Sequence, residues 1–128
     1  MSAPSRAGLF IYASDLARLA GFYESVLGLP RAHATNDMIV LRSPDMQLIV
    51  HAMPSHVASQ VTITSPPQLR DSAAIKFFCT VPSISAAQTS ASSLGGEILP
   101  EQWQGPGFIV RNACDPEGNI FQVRESAA

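Results

Sequence analysis

The chain has 128 residues, of which 46% are hydrophobic and 14% charged, with a net charge of -2. That length and composition suit one packed core, and the scattered charges, with no basic block, exclude nucleic acid and anionic membrane surfaces as expected partners. Apolar runs such as the one around Leu48 to Val50 fall far short of the ~20 residues needed to cross a bilayer.

Met1 to Ala7 shows no basic region followed by an apolar stretch, so no secretion signal is expected and the default location is cytoplasmic. Cys79 and Cys114 fit neither a zinc-knuckle nor a dithiol spacing and are expected as unpaired, small hydrophobic residues.

The first element in chain order is a buried strand over Gly8 to Ala13, where Leu9, Phe10, Ile11 and Tyr12 have good strand propensity. Ser14 and Asp15 then offer helix caps. Leu16, Leu19, Ala20, Tyr23, Val26 and Leu27 recur at helical spacing to Gly28, which predicts an amphipathic helix over residues 15–27. Three short strands follow, about 31–35, 38–42 and 46–52, with Ser43-Pro44-Asp45 as a turn.

The same grammar returns 68 residues later, at the step from Gly8 to Lys76. A strand from Lys76 to Val81 is followed by a cap at Ser83, a helix carrying Ile84, Ala87, Ala91 and Leu94, and a stop at Gly96. Strands of about 97–100, 108–112 and 120–124 then alternate with Gly105-Pro106-Gly107 and Asp115 to Asn119 as turns. The chain therefore reads as an α+β protein of two tandem βαβββ modules, about 6–53 and 73–125, forming a cupped mixed sheet. The linker, 54–72, contains a strand-like patch at Val61 to Thr64, and its Val57 and Val61 are available to cover a sheet edge or a partner subunit.

Three stretches carry a family resemblance: Tyr12 to Leu16, Phe22 to Leu29 and Asp115 to Gln122. Through them the chain resembles the glyoxalase / bleomycin-resistance / dioxygenase (vicinal oxygen chelate) superfamily. None of the three is chemistry by itself. Aromatic residues at helical spacing chiefly bury area, and Asp-Pro and Gly-Asn are turn formers. In metal-dependent members of the superfamily, strands of paired modules aim His, Glu or Gln ligands into a cavity, where a divalent ion acts as a Lewis acid. Carried over residue by residue, those ligand positions fall on Gly8, Ile49, Lys76 and Gln122. Only Gln122 is an ordinary ligand, and the Lys76 ammonium opposes a cation.

The resemblance thus implies a protein that binds a small, partly apolar molecule in the cavity of a cupped sheet, without a metal cofactor, and pairs as a homodimer. The alternative is a lyase, isomerase or dioxygenase with a non-standard divalent metal site built from His51 and Gln122. Candidate ligand contacts are Lys76, Trp103, Phe108, Arg111, Gln122 and Ile49. Lys76 is also the candidate catalytic base, because a partly buried amine can pair with an anion or lose its proton, although lysines at strand starts usually leave the ammonium in water. Trp103 is placed to stack on a flat ligand or simply to pack. Phe108 and Val110 face one side of their strand and Ile109 and Arg111 the other, and which side is the cavity stays open. No Ser-His-Asp order, phosphate-binding loop or paired carboxylates are legible.

Overall fold

A computed structural model describes residues 5–127. Each module runs strand, helix and three strands: β1 (Gly8–Ala13), α1 (Leu16–Leu27), β2 (Arg31–Ala34), β3 (Met38–Arg42) and β4 (Gln47–Ala52) in module one. A single helical turn, α2 (Ser55–Ala58), lies in the linker. Module two holds β5 (Phe78–Thr80), α3 (Ile84–Ser93), β6 (Glu97–Gly105), β7 (Phe108–Cys114) and β8 (Ile120–Ser126).

The two sheets have matching orders, β1-β4-β3-β2 and β5-β8-β7-β6. In each, the first strand pairs parallel to the last and the remaining pairs are antiparallel. The internal repeat survives in register: Phe10 pairs with Ile49 in module one, and Phe78, 68 positions later, pairs with Gln122 in module two.

The caps behave as the side chains dictate. Asp15 is extended (φ -123°, ψ 94°) and its carboxylate accepts a hydrogen bond from Arg18 N at 3.2 Å, while Gly28 ends α1 at φ 67°. Ser83 caps α3 in the same way.

The second helix stops differently from the expectation. Gly95, at φ 90°, takes the left-handed position one residue before Gly96. Gly96 has another task, since a Cβ there would collide with the Phe22 ring and the Cys114 carbonyl.

Two further departures concern the irregular parts. Val61 to Thr64 form no strand, and the linker docks instead on the 115–119 turn through Arg70 N donating to the Gly118 carbonyl at 2.9 Å. β6 is five residues longer than the expected 97–100, reaching Gly105.

α1 and α3 pack against each other, and each covers one face of its own sheet. The core runs through both modules without a break. At its centre Phe22 and Tyr23 of α1 meet Phe121 of β8 with ring centroids 6.1 and 5.2 Å apart, and Phe77 stacks on Phe121 at 5.4 Å.

Beside this cluster lies a buried polar knot made by the Asp115 turn. Asp115 Oδ2 accepts from the Tyr23 hydroxyl at 2.6 Å and from Asn119 Nδ2 at 2.8 Å, while Oδ1 accepts from the backbone of Glu117 and Asn119. Glu117, 4% exposed, reaches across to module one and accepts from Ser14 N at 2.8 Å and Asp15 N at 3.0 Å, at the positive end of α1.

Burial raises the Asp115 pKa above 3.8, and the bond from Tyr23 partly counters that rise. An acid whose folded pKa is raised favours its protonated form, so its contribution to stability declines as pH climbs from 3.8 to the folded value. Tyr23→Phe removes a lowering influence and extends the decline to higher pH. The variant should lose about 1.5–3 kcal/mol at pH 7, the range for a hydrogen bond to a charged group. The deficit should narrow towards pH 4, as read by urea melts across pH. A deficit independent of pH would contradict this account.

Candidate ligand-binding site

Alternation along each strand divides the side chains between the helix-covered face and an open face. In module two, Phe121 and Val123 of β8 enter the core, whereas Gln122 and Arg124 point to the open side. Register then sorts their neighbours. Val110 lies opposite Arg124, Asn112 opposite Gln122, and Trp103 opposite Val110.

Lys76, Trp103, Phe108, Val110, Asn112, Gln122 and Arg124 thereby line one hollow of about 380 Å³. Lys76 Nζ donates to Asn112 Oδ1 at 3.2 Å. Trp103 is 42% exposed at the rim. The guanidinium of Arg124 lies 3.7 Å from the Phe78 ring centroid and 4.4 Å from that of Phe108, on the two flanking strands.

Four of the sequence candidates, Lys76, Trp103, Phe108 and Gln122, are therefore neighbours, and Phe108 with Val110 marks the cavity side of β7. Arg111 is not with them. It shares the other face with Gln102 and Val123, and its Nε donates to the Leu99 carbonyl at 2.7 Å, which holds the irregular part of β6. Sequence reading missed Arg124, Phe78 and Asn112. Arg124 was available from period two alone, two residues past Gln122 on one strand.

Module one presents a different open face. Phe10 and Tyr12 on β1 and His51 on β4 form a cluster with centroids 5.8–6.3 Å apart, and both Phe10 and Tyr12 are about half exposed. Ile49 lies between Phe10 and Val40 on this sheet, not at the Lys76 hollow. His51 Nδ1 is 2.8 Å from the Ala52 carbonyl oxygen.

A larger hollow of about 630 Å³ lies between module one and β5, bordered by Leu27, Met46, Phe77 and Cys79. Its polar lining comprises Thr80, Lys76, which borders both hollows, and Ser43 and Asp45, which are joined by a 2.7 Å hydrogen bond. Cys79 and Cys114 are free, and burial pushes the Cys114 thiol up to about 11, away from reactive thiolate.

The superfamily's divalent ion can be tested against this donor set. A Cβ on Gly8 would lie 2.7 Å from the Gln47 carbonyl oxygen, so the backbone leaves no room there for a ligating side chain. Ile49 offers hydrocarbon, and Lys76 is a cation already bound to Asn112. Among the described residues no three His, Cys, Asp or Glu side chains gather as a metal-binding set, and Gln122 with His51 would supply only two donors. The residues do not fit the ion.

No helix among the described residues is long and apolar enough to cross a membrane. No functionally curated protein matches the chain in sequence. Solved structures resemble it along nearly its whole length. A glyoxalase/bleomycin resistance protein/dioxygenase family enzyme from Burkholderia phytofirmans PsJN is 15% identical with a TM-score of 0.68, covering 96% of this chain and 99% of its own. A glyoxalase-related enzyme from Fulvimarina pelagi is 16% identical with a TM-score of 0.67, covering 97% of this chain and 89% of its own. A glyoxalase/bleomycin resistance protein from Albidiferax ferrireducens T118 is 19% identical with a TM-score of 0.65, covering 93% and 96%. At such identities the likeness carries the fold alone. Residues 8–124 match the model of the glyoxalase-like domain, and the chain belongs to that family, within the vicinal oxygen chelate superfamily.

Proposed function

We propose that the protein binds a small, partly apolar molecule in the module-two hollow, without a metal ion. The observation that carries this reading is the meeting of Lys76, Trp103, Phe108 and Gln122 around about 380 Å³, above the ~300 Å³ lower end for ligand sites. Trp103 and Phe108 offer apolar surface to a flat ligand, and Gln122, Asn112 and Lys76 offer polar contacts. The metal-dependent alternative has less support, because Gly8, Ile49 and Lys76 stand where ligands belong. The setting we propose is cytoplasmic, in keeping with two free thiols.

We further propose a homodimer in which module one of a second copy closes the hollow. The exposed Phe10 and Tyr12 of module one and the exposed Phe78 and Trp103 of module two support it, since apolar side chains of that size gain from being covered. Sedimentation at micromolar concentration should give a dimer, and a monomer would end that part of the reading.

The binding itself is read through Trp103, the only tryptophan. Naphthalene-2-carboxamide, a flat neutral probe, should change its fluorescence saturably, and EDTA should alter neither that titration nor the melting temperature. Absence of saturation, or its loss on adding EDTA, would overturn the proposal. Phe108→Ala should weaken the probe by about tenfold, the ~1.4 kcal/mol expected for part of a buried aromatic contact.

A further inference from the structure

The hollow's electrostatics narrow the ligand further, on the footing of the binding reading above. Two cations, Lys76 and Arg124, line it, and among the described residues neither has a carboxylate within ion-pair distance. The acidic neighbour of Arg124 in sequence, Glu125, alternates to the other face and accepts from Ile84 N at 2.7 Å, so it is spent on capping α3. Lys76 has only a neutral amide as partner, Asn112 Oδ1.

Arg124 is the more specific of the two. Phe78 and Phe108 cover the faces of its guanidinium, which fixes the plane and leaves the donor-bearing edge for polar partners. Its Nε–H is buried and has no hydrogen-bond partner. With Nε closed off, a carboxylate bridging the two Nη groups is a planar acceptor matched to the remaining end of the guanidinium.

We propose that the ligand is a flat aromatic carboxylate, held by Arg124 through its anion and by Trp103 and Phe108 through its ring, with Lys76 adding charge from the side. Among the described residues no helix N-terminus lines the hollow, so the recognition rests on side-chain cations.

The test compares 2-naphthoate with naphthalene-2-carboxamide, which share shape and differ in charge, by Trp103 fluorescence and calorimetry on the wild-type protein at neutral pH. Naphthoate should bind at least about tenfold more tightly, the scale of a hydrogen-bonded charge pair. Arg124→Gln should remove that advantage, and Lys76→Met should reduce it by about threefold. Arg124→Lys, which keeps charge without the planar fork, should recover only part of it. Equal binding of the two probes by wild type, with saturation by both, overturns the carboxylate assignment and leaves the binding reading standing. Saturation by neither overturns both. An unchanged naphthoate affinity in a folded Arg124→Gln protein, with the wild-type melting temperature, removes Arg124 from the assignment.

Discussion

Replacing Glu117 with alanine is expected to destabilise the protein by about 2–4 kcal/mol, which for a chain of this size lowers the melting temperature by roughly 10 °C. The carboxylate is almost fully buried and accepts two backbone N–H groups, Ser14 and Asp15, just ahead of α1. Neither N–H has an intrahelical partner to fall back on, and truncation leaves both without an acceptor. Glu117→Gln keeps one acceptor oxygen and turns an N–H₂ towards the other donor, so about half the loss should remain. Thermal melts of the two variants measure this directly. A Glu117→Ala protein within about 0.5 kcal/mol of wild type, the usual range for a surface change, would show that water replaces the carboxylate without cost.

Phe121→Ala should be more severe, at about 3–5 kcal/mol, the range for removing a buried aromatic ring. Phe121 is wholly buried and touches the rings of Phe22, Tyr23 and Phe77 at once. Phe22 and Tyr23 belong to module one, and Phe77 with Phe121 itself to module two, so the cavity would open at the seam between them. Against a total of about 5–15 kcal/mol for a natural domain, such a loss brings the protein near its unfolding threshold. Phe121→Leu, which keeps much of the volume, should lose about half as much. Because the damage lies at the seam, calorimetry should still show one cooperative transition shifted downward. Two separated transitions would mean that the modules are stable apart.

The parts of the fold that the sequence made legible are those where local chemistry decides the outcome. Asp15, the 3.6-residue spacing of Leu16, Leu19, Ala20 and Tyr23, and Gly28 fix α1 within one residue of its observed bounds. β3 needs only its apolar run and the turns on either side. What escaped depended on partners distant in the chain. The second half of β6, Glu101 to Gly105, is polar, exposed and on a sheet edge, so it has no hydrophobic alternation to announce it and is held only by pairing with β7. The adjacent Gly95 and Gly96 are equivalent locally, and only the approach of Phe22 assigns them different tasks.

The site divides in the same manner. The neighbourhood of Lys76, Trp103, Phe108 and Gln122 came from a family resemblance, not from any local rule. Arg111 could be assigned a face only once β7 was in register with β6 and β8, with a register shift between Ile98 and Gln102. The two guanidinium groups, Arg111 and Arg124, look alike in a list of charges, yet one braces a backbone irregularity and the other stands in the hollow.

Odd and even positions on β8 carry separate duties: Phe121 and Val123 hold the two halves together, and Gln122 and Arg124 line the hollow. If the proposed binding holds, substitutions at the even positions change which molecule is held without weakening the seam, and laboratory libraries at Asn112, Gln122 and Arg124 explore new ligands on an unchanged scaffold. A slip of a single residue along the strand has the opposite character, because it would exchange the two sets and drive a charged side chain into the aromatic centre. The open face of this strand is free to drift in composition, but the strand is not free to drift in length.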